Sequence, residues 1–239
     1  SGGNLLAANS NSASAGTQTA GLTMGGHTGS YLDTTEEYNG TSWSAGGDLS
    51  LARYGLGGCG TQTAGLCWAG YQSPDLRVLT EEYDGTSWSA GGDLSVAKNQ
   101  PGGAGTQTAG LCFGGNISGT VQNATEEYDG TSWSSGGNIT TAVQNVASAG
   151  LQTAALCAGG VTQESPTVVR TAVTQEYNGT TWSAGGNISI ARGSLKGAGT
   201  QAAGLYWGGT TGSYISTSEE YTSPGSGSYD ELFTASQGL

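Results

Sequence analysis

The chain repeats itself five times, and this repetition limits its possible folds more than any other feature. The phrase EEYDGTSW at 81–88 recurs along the sequence with small changes, and a second phrase, GTQTAGL, precedes each copy. The tyrosine of the first phrase recurs at intervals of 45, 45, 49 and 44 residues, as Tyr38, Tyr83, Tyr128, Tyr177 and Tyr221. Periods of about 20 to 50 residues are typical of repeat proteins, in which neighbouring copies bury a core that one copy cannot form.

Each repeat has the pattern of two β-hairpins. In the second copy the run AGLCWAG at 64–70 is followed by a polar stretch, and LTEEY and TSWSA then flank Asp84-Gly85. Asp-Gly or Asn-Gly between short alternating runs favours a tight hairpin, because both central residues of that turn need positive φ. The other copies contain Asn39-Gly40, Asp129-Gly130 and Asn178-Gly179. No segment shows the apolar spacing of an amphipathic helix, so we expect an all-β chain with four antiparallel strands per repeat.

Five four-stranded sheets arranged radially would bury their faces against one another and hide their long edges. We therefore predict a single five-bladed β-propeller domain over 1–239, with blades at about 1–46, 47–91, 92–136, 137–185 and 186–239. Small residues, as in LGGCG at 56–60 and VASAG at 146–150, predict that the first strand of each blade lies innermost, around a crowded axis. The repeated aromatic residues are expected to pack between blades: Tyr38, Trp43, Tyr83, Trp88, Tyr128, Trp133, Tyr177, Trp182 and Tyr221.

The two ends of the chain bear on how the ring closes. SGGNLLAAN at 1–9 aligns with SGGNITTAV at 135–143, which predicts that residue 1 follows an outer strand. The last copy lacks the tryptophan, and we expect SYDELFTAS at 228–236 to supply the outer strand of the fifth blade. Without that strand, closure would depend on contacts between the first and last blades.

The charge and hydropathy of the chain exclude some classes of partner. Eighteen acidic residues against six basic ones give a net charge of −12, which repels phosphate backbones, so we expect no nucleic-acid binding. No apolar run approaches the length of a membrane-spanning helix, and the first residues do not have the pattern of a signal peptide. We therefore expect no membrane insertion.

The cysteines favour buried thiols. Cys67, Cys112 and Cys157 occupy one position in three successive repeats, which places them too far apart for disulfides. Cys59 lies eight residues before Cys67 across a predicted turn, so a disulfide between these two is left open. Because His27 is the only histidine and no CxxC occurs, we predict no metal site and no cofactor.

One series of residues in the repeat resembles a known family. A basic residue, a pair of small residues, a tyrosine, a tight turn and a tryptophan follow in order: Arg53, Ala69-Gly70, Tyr83, Trp88; then Lys98, Gly114-Gly115, Tyr128, Trp133; then Arg192, Gly208-Gly209, Tyr221. This order resembles the kelch repeat, as in the central domain of galactose oxidase. The basic position holds Asn9 in the first copy and Val143 in the fourth, and kelch propellers more usually have six or seven blades. The phrases GTQTAGL and EEYDGTSW are also similar to tandem repeats of predicted virion and tail-fibre proteins of aquatic bacteriophages.

The sequence predicts no catalytic residues. The resemblance to galactose oxidase would imply a copper site with two histidines and a modified tyrosine, and a single histidine excludes it. Serine or cysteine nucleophiles also need a histidine base, and His27 has no repeated context. The carboxylate pairs Glu36-Glu37, Glu81-Glu82, Glu126-Glu127 and Glu219-Glu220 recur in the blades, which favours a structural role over a glycosidase dyad.

Variation within the repeat points to a binding surface. The segments HTGSYLDTT, YQSPDLRVLT, NISGTVQNAT, VTQESPTVVRTAVT and TTGSYISTS differ in sequence and length between near-identical flanks. They join the second and third strands, so all should emerge on one face, opposite the constant turns. Diverse loops on a rigid scaffold are typical of binding surfaces, although drift of exposed connections is the alternative. The ligand-binding candidates on these loops are Tyr31, Asp33, Tyr71, Asp75, Arg77, Asn116, Asn123, Gln163, Glu164, Arg170 and Tyr214.

The leading hypothesis is a non-enzymatic structural or binding module of a virion, in a tail fibre, a spike or a capsid-associated protein. It would act in host attachment or particle assembly, in the virion or extracellularly. Its partners would be other virion proteins, or a glycan or protein of the host surface, and self-association is left open. A carbohydrate-binding lectin propeller is the first alternative, and a polysaccharide-active enzyme on a propeller scaffold is the second.

Overall fold

A computed structural model describes residues 2–223 of the protein. It confirms the expected all-β, five-bladed β-propeller with antiparallel strands in every blade. Within these residues no helix is long and apolar enough to cross a membrane. The outer strand expected at 228–236 lies outside the described residues.

Each blade is an antiparallel sheet whose strands follow one another away from the central axis. The first blade contains β1 (Ala13–Thr17), β2 (Ala20–His27), β3 (Tyr31–Tyr38) and β4 (Trp43–Ala45). The second contains β5 (Gly57–Thr61), β6 (Ala64–Trp68), β7 (Tyr71–Gln72), β8 (Asp75–Leu76), β9 (Thr80–Tyr83) and β10 (Trp88–Ala90). The third contains β11 (Gly102–Thr106), β12 (Ala109–Phe113), β13 (Asn116–Ile117), β14 (Thr120–Val121), β15 (Thr125–Tyr128) and β16 (Trp133–Ser135).

The fourth blade contains β17 (Ala147–Leu151), β18 (Ala154–Ala158), β19 (Val161–Gln163), β20 (Val169–Arg170), β21 (Thr174–Tyr177) and β22 (Trp182–Ala184). The described part of the fifth contains β23 (Lys196–Gly199), β24 (Ala203–Trp207) and β25 (Ser218–Thr222). In the second, third and fourth blades, a two-stranded hairpin stands in the loop between the second and third strands of the sheet. These hairpins are β7–β8, β13–β14 and β19–β20.

The Asp-Gly turns are held by the aspartate itself. Asp84 Oδ1 accepts hydrogen bonds from the backbone N–H groups of Thr86 and Ser87, both at 2.8 Å, and Gly85 has a φ of +90°. The bonds from Ser87 and then Thr86 lower the pKa of Asp84. The phrase DGTS therefore forms a four-residue loop between Tyr83 and Trp88. Only Gly85 has a positive φ, so the tight turn with two positive φ values expected from the sequence is not formed.

From the second blade onwards, the tyrosine and tryptophan of the repeated phrase join adjacent blades. Within residues 2–223, Tyr38 and Trp43 of the first blade pack on each other and belong to none of the core clusters between blades, contrary to expectation. Tyr83 of the second blade donates its hydroxyl hydrogen to Glu37 Oε1 of the first at 2.6 Å, and Trp88 Nε1 donates to Thr35 Oγ1 at 2.9 Å. Both contacts recur at the next two joints, and the fourth joint keeps the tyrosine contact. Because the rings also belong to the apolar clusters between blades, each joint combines burial with directed hydrogen bonds.

The phrase GTQTAGL supplies the other half of each joint. Gln62 Nε2 donates to the carbonyl oxygens of Gly21 and Tyr38 in the preceding blade, at 3.0 and 2.8 Å. Leu22 packs against the next blade so closely that a Cβ at Gly65 would lie 2.7 Å from Leu22 Cδ2. The glutamine contacts recur at the three following joints. The glutamine, glycine and leucine of the phrase therefore hold neighbouring blades together as well as forming their own hairpin.

A chain of backbone hydrogen bonds also crosses four joints. One residue per blade has a positive φ just before the inner strand: Asn11, Gly55, Gln100, Asn145 and Ser194. From the second blade onwards, the N–H of each of these residues donates to the carbonyl oxygen of the one before it, at 2.6–3.1 Å. This chain sets the spacing of the blades near the axis.

The basic position of the repeat forms a buried ion pair with the first glutamate of the EE pair. Arg53 Nη1 lies 2.6 Å from Glu81 Oε1, and both side chains are buried. The third and fifth blades repeat the pair as Lys98 with Glu126 and Arg192 with Glu219. The carboxylate also accepts a backbone hydrogen bond from Ser50, so it ties the entering linker to the sheet.

The fourth blade replaces both members of this pair together. Val143 stands in the basic position and Gln175 in the glutamate position, with exposed fractions of 1% and 0%. Gln175 Oε1 still accepts from the Thr141 N–H at 3.0 Å, so the linker contact is kept without a charge. The first blade keeps a glutamate, Glu36, which is 7% exposed and has no basic partner among the described residues, since Asn9 in the basic position bonds to Gly25 and His27 instead. In a pair as buried as Arg53 and Glu81, removal of the base alone would leave an unpaired charge in the core, which is strongly destabilising.

The fifth blade does not form the same joint with the first. Leu205 and Trp207 of β24 are 42% and 40% exposed, whereas the matching leucines of the other blades are at most 1% exposed. None of the residues from Lys196 to Thr222 hydrogen-bonds to residues 2–46, and none of the four core clusters in the described chain spans this boundary. We call the boundary between Lys196–Thr222 and residues 2–46 the seam.

Two side chains explain the open seam. At the first joint the inner strands approach so closely that a Cβ at Gly58 would lie 3.1 Å from Ala13 Cβ. Each of the four formed joints has glycine at one or both of the matching positions. At the seam these positions hold Lys196 and Ser14, and neither is glycine. A Cβ on both strands at the seam therefore disfavours the close approach that the four formed joints show.

The open seam predicts unequal costs for one substitution in two repeats. Leu156→Ala removes a fully buried side chain from the fourth joint and should lower the free energy of unfolding by about 2–5 kcal/mol. Leu205→Ala, at the matching position beside the seam, should cost less than about 1 kcal/mol. Urea denaturation of the two variants measures both values. Equal losses would mean that Leu205 is buried in solution and that the seam is closed.

The paired replacement in the fourth blade predicts that substitutions of Arg53 and Glu81 in the second blade have coupled effects on stability. Arg53→Val leaves Glu81 as a buried charge without its partner and should cost about 3–5 kcal/mol. Adding Glu81→Gln recreates the Val143 and Gln175 arrangement, and the double variant should be at least about 1 kcal/mol more stable than Arg53→Val. A double-mutant cycle by chemical denaturation measures this coupling. A double variant no more stable than Arg53→Val would contradict it.

Candidate functional site

The connections of varied sequence lie at one end of the blades. Antiparallel pairing puts the β1–β2 and β3–β4 turns at the opposite end from the β2–β3 loop, and the later blades repeat this arrangement. The linker that enters each inner strand is at the same end as the varied loops. We call this end, formed by the second-to-third strand loops and the entering linkers, the variable-loop face.

Four rings gather on this face across the first joint. His27 and Tyr31 come from the first blade, and Tyr54 and Tyr71 come from the second. The Tyr31 and Tyr54 rings are stacked with centroids 5.7 Å apart, and Tyr71 meets each of them edge-on at 6.1 and 5.7 Å. His27 lies 5.7 Å from Tyr31 and 5.6 Å from Tyr54. We call these four residues the aromatic cluster.

Backbone pairing holds the aromatic cluster in place. Tyr54 and Tyr71 exchange two N–H···O hydrogen bonds at 3.2 and 2.8 Å, and His27 makes the same exchange with Ser10. Gly55, directly after Tyr54, belongs to the chain of hydrogen bonds that crosses the joints. Backbone hydrogen bonds therefore hold the residues that carry the rings, and little ordering is needed before the rings contact a ligand.

The cluster presents three tyrosine hydroxyl groups. The hydroxyls of Tyr31, Tyr54 and Tyr71 make no hydrogen bond to any residue within 2–223, and all three side chains are half-buried. Burial, followed by the neighbouring Tyr31 and Tyr71, raises the pKa of Tyr54 above its ordinary value. All three hydroxyls are free to donate to and accept from a ligand.

A pocket of about 590 Å³ adjoins the cluster between the second and third blades. Tyr54 and Tyr71 form one side, the β13–β14 hairpin and Asn99 form the other, and Asp75 stands at the rim. Asn116 of β13 is 6% exposed, and its Nδ2 has no hydrogen-bond partner among the described residues. This combination of apolar walls and a few polar groups is typical of small-molecule sites.

The structure brings together only some of the candidate residues predicted from sequence. Tyr31 and Tyr71 belong to the aromatic cluster, and Asp75 and Asn116 line the pocket. The others do not join this site: Asp33, Arg77, Asn123, Gln163, Glu164, Arg170 and Tyr214. Arg77 donates to Gln72, for example, and Tyr214 is 94% exposed in the fifth blade.

Sequence reasoning missed Tyr54 and Asn99 and assigned no role to His27. Tyr54 and Asn99 come from the entering linkers rather than from the varied loops. The position after the basic residue reads Ser10, Tyr54, Asn99, Gln144 and Gly193. This position varies strongly, but the residues on either side of it vary as well, so variation alone does not distinguish it.

The recurring carboxylate pairs hold the scaffold together. In the second blade Glu81 pairs with Arg53, and Glu82 Oε1 accepts the hydroxyl of Tyr128 from the next blade at 2.6 Å. Burial, followed by this bond, raises the pKa of Tyr128 to about 12. Both carboxylates of the pair are therefore engaged in contacts within and between blades.

The central cavity has a different lining from the variable-loop face. It measures about 450 Å³ and is lined by the five inner strands, mostly by glycine, alanine and serine. Lys196 and Trp207, both next to the seam, are its largest lining side chains. Within residues 2–223 there is no group of three or more His, Cys, Asp or Glu side chains that could hold a metal ion.

Comparison with known proteins does not assign a family. No protein-family model matches the chain, and no curated protein matches it.

The four cysteines are free and buried, and Cys59 and Cys67 do not form a disulfide. Burial is the main cause that raises the pKa of Cys67 and of Cys112 to about 12, and it also raises those of Cys59 and Cys157. At neutral pH these side chains are thiols, which are poor nucleophiles.

We therefore expect the native protein to react slowly, if at all, with an aromatic disulfide reagent at pH 8. After unfolding in guanidinium chloride without reductant, all four thiols should react. Absorbance of the released thiolate counts the reactive groups. A count of two after unfolding would indicate a disulfide between Cys59 and Cys67, and a fast-reacting thiol in the native protein would contradict the burial.

Proposed function

We propose that the protein is a non-enzymatic attachment module of a virus particle, which binds a glycan of the host surface through its variable-loop face. The observation that carries the proposal is the aromatic cluster on that face. The C–H groups on one side of a sugar ring pack well against an aromatic face, while sugar hydroxyls bond to phenolic hydroxyls. A cluster of half-buried tyrosines with free hydroxyls on a rigid scaffold provides both kinds of contact at low cost in conformational entropy.

The sequences of the repeats support a location in a virus particle. GTQTAGL and EEYDGTSW are similar to repeats of predicted virion and tail-fibre proteins of aquatic bacteriophages. We also assign the repeats to the kelch-like type, on the order of basic residue, small pair, tyrosine and tryptophan. Detection of the chain by mass spectrometry in purified particles tests this part of the proposal, and its consistent absence from them would contradict it.

Substitutions in the aromatic cluster test the attachment surface. Tyr31→Ala and Tyr54→Ala should each weaken binding to host-surface polysaccharide by at least about tenfold, because central aromatic residues dominate such interfaces. Tyr214→Ala is the matched control, since Tyr214 is 94% exposed on the fifth blade and lies away from the cluster. Binding to immobilised host polysaccharide, measured by biolayer interferometry, gives the affinities.

The proposal predicts that the control variant binds like the unmodified protein and that all three variants keep their melting temperatures within a few degrees. Undiminished binding by both cluster variants would contradict the assignment of this surface. Loss of binding in the Tyr214→Ala variant alone would move the contact to the fifth blade.

A further inference from the structure

The pocket between the second and third blades has polar atoms that the fold leaves without partners. Asn116 is only 6% exposed, and its backbone N–H donates to the Asn99 carbonyl oxygen at 2.8 Å. Its side-chain Nδ2 has no partner, and neither has the buried Oδ1 of Asn99. A buried polar atom without a partner is costly, so two of them in the wall of one pocket point to a ligand that satisfies them.

The orientation of the Asn116 amide follows from its neighbour. The Gly119 N–H lies 2.7 Å from Asn116 Oδ1, and a backbone N–H can only donate, so the atom facing it must be the oxygen. The unpartnered atom is therefore the NH₂ group, a donor. The unpartnered Asn99 Oδ1 is an acceptor from the adjoining linker. The pocket thus offers one buried donor and one buried acceptor.

The rest of the lining restricts the ligand class. Tyr54 and Tyr71 provide aromatic surface, and Leu76 adds an apolar wall. No lysine or arginine lines the pocket within the described chain, and Asp75 at its rim is acidic. With a net charge of −12 as well, the protein repels carboxylate, sulfate and phosphate groups from this site.

We propose that this pocket is a subsite for one neutral sugar unit of a glycan, whose hydroxyls accept from Asn116 Nδ2 and donate to Asn99 Oδ1 while its ring packs on Tyr54 and Tyr71. A sugar hydroxyl both donates and accepts, so neighbouring hydroxyls of one ring match this pair of amides. The inference deepens the proposed function and rests on it, because it names the class of sugar and the place where it binds.

The fourth blade suggests a substitution that the fold tolerates. The position of Asn116 is held there by Val161, which is 5% exposed and makes the same backbone exchange with its linker. Asn116→Val therefore removes the buried donor and keeps an arrangement that this fold already contains. Asn116→Asp is the second variant, since it keeps an oxygen facing the Gly119 N–H and replaces the NH₂ donor with a carboxyl oxygen, at the cost of a buried ionisable group.

Titration of the full chain with the methyl glycosides of glucose, galactose, mannose and N-acetylglucosamine, followed by ligand-observed NMR, tests the subsite. At least one neutral glycoside should bind, and both Asn116 variants should weaken it by about tenfold or more, while a thermal melt checks that each variant is folded. Methyl glucuronide should bind more weakly than methyl glucoside. Tyr214→Ala, on the fifth blade and outside the pocket lining, should leave glycoside binding intact.

The outcomes separate the subsite from the attachment function. If no neutral glycoside binds, if both Asn116 variants bind as well as the unmodified protein, or if the glucuronide binds more tightly, the subsite proposal is overturned. In each of these cases the attachment function still stands or falls on polysaccharide binding by Tyr31→Ala. Loss of polysaccharide binding in Tyr31→Ala with unchanged binding in both Asn116 variants would place attachment on the cluster alone and would also overturn the subsite.

Discussion

The contact between neighbouring blades is the constraint on which the rest of this structure depends. A sheet as thin as β1–β4 cannot bury both of its faces, and only 35% of the chain is apolar, so the core exists only where two blades meet. At each formed joint a leucine lies against a glycine or alanine of the next blade, and a tyrosine hydroxyl reaches a glutamate of the preceding one. Because burial and hydrogen bonding fall on the same few residues, these residues recur almost unchanged while the loops vary.

Much of the fold could be predicted from the sequence, because the repeat turns weak local signals into strong ones. One Asp-Gly pair between alternating runs is modest evidence for a hairpin, but four such pairs at nearly equal spacing define a unit of four strands. The candidate site was predicted only in part. Tyr31, Tyr71, Asp75 and Asn116 were identified because loop variation is visible in sequence, whereas Tyr54 and Asn99 reach the site from linkers that only the closed packing of blades brings beside the loops.

The seam shows why the repeat alone cannot predict closure. Leu205, Gln18 and Trp43 are the same residue types that form the other joints, so a comparison of repeats would predict a fifth contact like the other four. Closure, however, is decided at the axis, where a Cβ on both inner strands leaves too little room, and Lys196 and Ser14 each carry one. The fit of two residues brought together from distant parts of the chain is a three-dimensional property that periodicity does not encode.

The location of the site follows from the same packing. The aromatic cluster bridges the joint between the first and second blades, and the adjoining pocket bridges the next joint. Both therefore lie on formed joints, whose tyrosine, tryptophan and glutamine contacts fix the distance between their two sides. A ligand that contacts both sides of such a joint gains from a geometry that is already held, and it stabilises the joint in return, because it binds only when the blades are in contact. A site across the seam would lack this reciprocal stabilisation, since its two sides come from the fifth and first blades, which share no joint within the described residues.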